Sequence, residues 1–207
     1  MSKFWIAALS LTCSTPSWAC SPDGEYREPT NIELIERADL VVLGRVDAER
    51  PKERTSSNAV GLTPIRTLKG HAPEKLTLYG TFRDRSGKLV APEPTKLNEA
   101  HSSSTWGACD RQAYAPGTLV IATFKKRPEG YIQMTYPFAR NVEDVESEQG
   151  LWVRAATLYT RIISQHRPAQ RRKAFQKERE RLAQSNDPEA QAIAQDIAGY
   201  LKATVRR

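Results

Sequence analysis

Between positions 39 and 136 the apolar residues fall in short runs separated by Gly and Pro, at 39–46, 62–68, 75–82, 118–124 and 131–136. Runs of that length with such bounds predict five β-strands. The third alternates, with Leu76, Leu78 and Gly80 on one face and Thr77, Tyr79 and Thr81 on the other. Arg127, Pro128, Glu129 and Gly130 carry turn chemistry, so the last two strands read as a hairpin. Ahead of the first strand, Thr30 and Glu33 stand at capping-box spacing and predict a short helix carrying Ile32, Leu34 and Ile35 toward Ala38.

After Gly150 the period becomes helical. Leu151, Trp152, Ala155, Leu158, Tyr159, Ile162 and Ile163 form one stripe at spacings of three, four and seven. Pro168 interrupts it, and a more polar helix follows with Ala174, Phe175 and Leu182 as its apolar seam. Asn186 and Asp187 offer caps to a third helix that opens on Pro188 and turns Ala190, Ile193, Ala194, Ile197 and Leu201 one way. These stripes read as core rather than as a cofactor pocket.

Lys3 gives a short basic start, residues 4–11 an apolar run too short to span a bilayer, and Ser17 and Ala19 the small residues of a cleavage site. Residues 1–19 therefore read as a cleavable export signal cut before Cys20, and the expected location is periplasmic or secreted. Lipid attachment through Cys20 is the minor alternative, because Ser17 stands where such signals favour a Leu-like residue. The predicted organisation is a signal at 1–19, a β domain at 20–145 and a helical extension at 146–207, with no transmembrane helix in the mature chain.

Of the 207 residues, 39% are hydrophobic and 27% charged, a balance that excludes a disordered polymer and a multi-pass membrane protein. The net charge of +7 is unevenly placed: 151–207 holds 12 Lys or Arg against 5 acids, whereas 20–150 holds 18 against 19. In an exported protein the run Arg171, Arg172, Lys173 and Lys177, interleaved further on with Glu178 and Glu180, reads as a solvated helix face or a surface for anionic membrane or envelope polymer. Nucleic acid is not expected as a partner.

The three cysteines and three histidines show no zinc-ligand spacing, and GxGxxG, GxxxxGK[ST] and GxSxG are all missing. No cofactor, metal or catalytic residue is assigned. Cleavage removes Cys13 and leaves Cys20 and Cys109, the number one disulfide needs. That bridge would close a loop of about ninety residues and contribute about 4–5 kcal/mol. A nucleophilic Cys109 lacks a histidine at motif spacing. The polar stretch 83–105, with Pro92, Pro94 and Ser102 to Ser104, reads as a binding loop, a linker or a segment hiding a short helix at 96–100. His101 beside three serines invites a hydrolase reading, yet local spacing supplies no orienting carboxylate or oxyanion site.

Five short strands after a short helix admit both a Greek-key barrel of the OB type and a sandwich. The segments ADLVVLGRV at 38–46, IRTLKG at 65–70, LTLY at 76–79 and CDRQAYAPGTLVI at 109–121 resemble the netrin-like, tissue-inhibitor-of-metalloproteinases-like OB fold of exported bacterial proteins. The resemblance spans about 20–136. It implies a mainly β fold with α, a five-stranded OB-type Greek-key barrel followed by a C-terminal helical extension. In the animal inhibitors the leading cysteine offers its α-amino group and carbonyl to a protease's zinc. Here Cys20 matches that position with Ser21 beside it, and Pro22 departs from the inhibitors' Cys-x-Cys start.

The function expected is that of an exported, non-enzymatic binding module, stabilised by one disulfide, whose partner is a protein or envelope component. The alternatives are an exported hydrolase and a metalloprotease inhibitor acting through Cys20 and Ser21. Folding would favour the hydrolase if it brought His101 or His71 within hydrogen-bond reach of a serine or Cys109 and of a carboxylate.

Overall fold

A computed structural model describes residues 24–48 and 58–203. Helix α1 (Asn31–Arg37) opens on the predicted capping box: the Glu33 amide donates to Thr30 Oγ1 at 3.3 Å, and the Thr30 amide donates to Glu33 Oε2 at 3.0 Å. Arg27 adds an ion pair to the same carboxylate at 2.6 Å. Thr30→Ala should lower stability by about 1 kcal/mol, read by denaturant titration. A change below about 0.3 kcal/mol would mean that packing alone sets where α1 starts.

Strands β1 (Leu40–Val46), β2 (Ala59–Lys69), β3 (Leu76–Tyr79), β4 (Leu119–Arg127) and β5 (Gly130–Gln133) lie in the order β3-β2-β1-β4-β5 with every pairing antiparallel. The Tyr79 amide donates to the Gln133 side chain at 2.9 Å, which brings β3 beside β5 and nearly closes a five-stranded barrel. Arg127 pairs with Gly130 in the predicted hairpin, and Leu76 and Leu78 point inward while Tyr79 is exposed. Gly70 ends β2 at φ +78°, a left-handed conformation, and a Cβ there would collide with the Asp39 carbonyl.

The run LVVL of β1 does not alternate, because both of its faces are covered. Leu40 and Val42 point into the barrel with Leu62, Leu78, Val120 and Phe124. Val41 and Leu43 point the other way, with Ile121, toward the helices. That outer layer is α2 (Leu151–Gln165), α3 (Pro168–Ala183) and α4 (Pro188–Ala203). The α2 stripe is buried from Trp152 to Ile163, with Leu151 at its edge, and α3 buries only Phe175 and Leu182, as its polar sequence requires. Phe175 meets Tyr159 and Tyr200 edge-to-face, with centroids 6.0 and 5.2 Å apart, and so ties the three helices together. Asp187 caps α4 by accepting the Glu189 amide at 3.0 Å.

Two expectations need correcting. Residues 96–100 do not form a helix; the single helical turn between β3 and β4 is Ser102–Thr105, started by His101, whose ring nitrogen accepts the Ser103 amide. A sixth strand, β6 (Val142–Asp144), pairs with β4 although its two acidic residues hid it.

Candidate functional site

The long β3–β4 connection is fastened to the barrel by charges that the fold has buried. Asp144 on β6 is fully buried and holds Arg111 in an ion pair at 2.5 Å. Arg111 also donates Nε–H to the Ala113 carbonyl at 3.0 Å and lies 4.5 Å over the Tyr114 ring. The second Asp144 oxygen accepts the Glu93 amide at 2.8 Å. Neighbouring Glu143, equally buried, accepts the Thr95 hydroxyl at 2.9 Å and the His101 amide at 3.1 Å. Burial pushes the Glu143 carboxyl up to about 7 against the opposing pull of Arg111.

His101 completes the cluster. Its Nδ1 accepts the Ser103 amide at 3.1 Å, so that nitrogen carries no proton, and the Ser103 hydroxyl 2.9 Å away donates to it. Ser103 Oγ in turn accepts the amides of Gln112 and Ala113, each at 3.3 Å. The proton therefore sits on Nε2, which faces Glu93 at 3.6 Å and Asp144 at 3.9 Å without a hydrogen bond to either. Burial, helped by Arg111, drives the imidazole pKa down to about 4.

A serine and a histidine thus meet at hydrogen-bond distance, but the carboxylates near the far ring nitrogen do not bond it, and the pair lies in a sealed place. Ser103 is 0% and His101 1% exposed, and the serine oxygen is already engaged by two amides and the imidazole. Substrate contact would require the β3–β4 connection to lift away. His71 lies exposed in the loop after β2. Among the described residues no group of three His, Cys, Asp or Glu side chains is arranged to hold a metal ion.

The other residues singled out in the sequence are dispersed. Cys20 and Ser21 lie outside the described residues. Cys109 is buried at φ 60° and is not a free thiol. On α3, Arg171 donates to the His166 carbonyl and pairs with Glu36 at 3.4 Å, while Arg172 donates to the Leu201 carbonyl at 2.9 Å. These two arginines join α3 to α1 and α4, and Lys173 and Lys177 face solvent. No helix among the described residues is long and apolar enough to cross a membrane.

Sequence reasoning did not anticipate the open hollows. A cleft of about 650 Å³ lies between the start of α1 and α4, with Arg140 and Asp196 in its wall. Arg140 donates to Asn31 at 2.6 Å and pairs with Glu28; Asn31 bonds Asp196 at 3.0 Å, and the Tyr159 hydroxyl bonds Asp196 at 2.6 Å. Burial raises both the Asp196 and the Tyr159 pKa. This chain of polar groups satisfies itself. On the far side of α2 two further hollows run along the helix, against β2 and against α3.

Comparison with known proteins places nothing beside this fold: no family model matches the chain, and searches of curated proteins and of solved structures return no match.

Proposed function

We propose that the chain is an exported OB-type module that binds another macromolecule and performs no covalent chemistry, with Cys20 bridged to Cys109. The cyclic neighbour order β1-β2-β3-β5-β4 and the single helical turn between β3 and β4 support the OB type. The export signal and the bridge rest on the sequence pattern. One observation carries the non-enzymatic reading: Ser103 and His101, the pair that meets in the geometry of a nucleophile and base, are spent on holding the β3–β4 connection and are closed to substrate. What the surface offers instead is concave grooves rimmed by charge.

The test is covalent labelling. The native protein treated with a fluorophosphonate should show no adduct on Ser103 by mass spectrometry, and simple esters should be hydrolysed no faster than in buffer. A stoichiometric Ser103 adduct, with ester hydrolysis lost in Ser103→Ala, would replace this reading with the hydrolase.

A further inference from the structure

The two hollows beside α2 measure about 610 and about 410 Å³ and share Arg66, Thr157 and Arg161 in their linings, so they adjoin along α2 as two halves of a groove. The larger half lies between β2 and α2, and the smaller lies between α2 and α3 with Arg66 reaching it from β2. Apolar side chains, among them Leu68, Leu158 and Leu182, line the groove's depth. At the β2 end the lining contains Arg66, Lys69 and Arg161 and no acidic residue.

Among the described residues Arg66 and Lys69 make no close ion pair, and Lys69 feels the nearby carboxylates of Asp39 and Glu36. Arg66 donates to the main-chain carbonyl of Glu148 at 3.0 Å, and Lys69 donates to the carbonyls of Ile35 and Glu36 at 2.8 and 3.0 Å. Both rest on carbonyl oxygens. Arg161 comes no nearer to a carboxylate than 3.7 Å, at Glu178. By contrast, Arg154 is held between Asp187 and Glu189, and Arg171 by Glu36. Glu178 shows how a carboxylate sits on the rim: it bonds Arg181 at 2.7 Å and leans toward Arg161. The Arg181 hydrogen bond chiefly holds the Glu178 carboxyl below the usual range.

We infer that this groove is the docking site of an acidic peptide segment of a partner protein, its carboxylates meeting Arg66, Lys69 and Arg161 and its apolar side chains entering the depth along α2. The inference rests on the binding reading given above. Charge complementarity selects the occupant: a basic end whose lining holds no acid, over an apolar floor, favours a chain carrying both acids and apolar groups. Glu178 then acts as an internal competitor for one of the acidic positions.

The probe is a fluorescent peptide of about twelve residues built from Glu, Leu and Ser, with Lys in place of Glu as its control. Anisotropy with the full chain should show binding of the acidic peptide only, weakening as salt rises from about 0.1 to about 1 M and the screening length falls from about 10 to about 3 Å. Arg66→Glu and Arg161→Glu, at exposed positions that leave the fold intact, should each weaken binding about tenfold, and Glu178→Gln should tighten it. Lys173→Glu and Lys177→Glu, on α3 but outside the groove, should change nothing. No binding of the probe, or equal losses from the Lys173 and groove variants, overturns the groove. Binding to phosphatidylglycerol vesicles that Arg66→Glu and Arg161→Glu abolish, without peptide binding, also overturns it in favour of a membrane surface. Cleavage of the probe overturns the non-enzymatic reading itself.

Discussion

Asp144→Ala is expected to destabilise the protein by about 3–5 kcal/mol, the cost of breaking a buried ion pair from one side. The substitution strips Arg111, 2% exposed, of its hydrogen-bonded counter-ion and leaves it only the through-space pull of Glu143, whose carboxyl burial keeps protonated up to about pH 7. It also removes the acceptor for the Glu93 amide, which tethers the far side of the same connection. The loss is therefore that of an orphaned charge rather than of an ion pair's net worth. The double variant Arg111→Met with Asp144→Leu, which removes both charges and keeps apolar volume, should recover to within about 2 kcal/mol of the parent. Denaturant unfolding of the three proteins decides the matter. A single variant losing less than about 1 kcal/mol would show that Arg111 finds another partner or reaches solvent.

The second large effect is a pH dependence that the parent protein conceals. Glu143 keeps its proton up to about pH 7 in the folded state, against an ordinary value of 4.5. Its contribution is fully present below about pH 4.5 and is lost as pH rises through 7. His101 behaves oppositely, titrating near 4 when folded and at 6.5 ordinarily. Its contribution is full above about pH 6.5 and is lost as pH falls through 4. Between about 4.5 and 6.5 the two slopes cancel.

Glu143→Gln should uncover the histidine, so that stability rises with pH by up to about 1.4 kcal/mol per unit from about 4 to 6.5. His101→Gln should uncover the carboxyl, so that stability falls by a similar slope from about 4.5 to 7. Arg111, Asp144 and Glu93 act on His101 in the parent and in Glu143→Gln alike, so the difference in slope reports the deleted group. Thermal or denaturant midpoints across this range would show it, and parallel curves for the three proteins would refute the assignment.

The contrast between those buried charges and the rest of the chain explains what could be read in advance. The α2 and α4 seams, the Thr30–Glu33 box, the Arg127–Gly130 turn and the facing of Leu76 and Leu78 follow from local periodicity and capping, which act within a few residues. Strand β6 and the Arg111–Asp144 pair were invisible because a buried acid and a solvated acid are the same letter, and the two partners lie 33 positions apart. His101 and Ser103 were visible as neighbours. Their burial was not, since it depends on Gln112, Ala113 and β6 arriving from elsewhere. The groove was hidden for the same reason: Arg66 and Arg161 become neighbours only when α2 lies along β2.

Because β1 is apolar on both sides, it serves as a party wall between the barrel interior and the helical layer. Neither side can loosen alone. Removing the helices would bare Val41, Leu43 and Ile121 to water, and opening the barrel would strip the helices of the surface on which they rest. The chain is therefore built to melt as one cooperative unit, with the amides of β1 among the last to exchange with solvent. The change from strand to helix pattern near Gly150 marks a change of secondary structure within that unit, and a cut there would leave neither half self-sufficient.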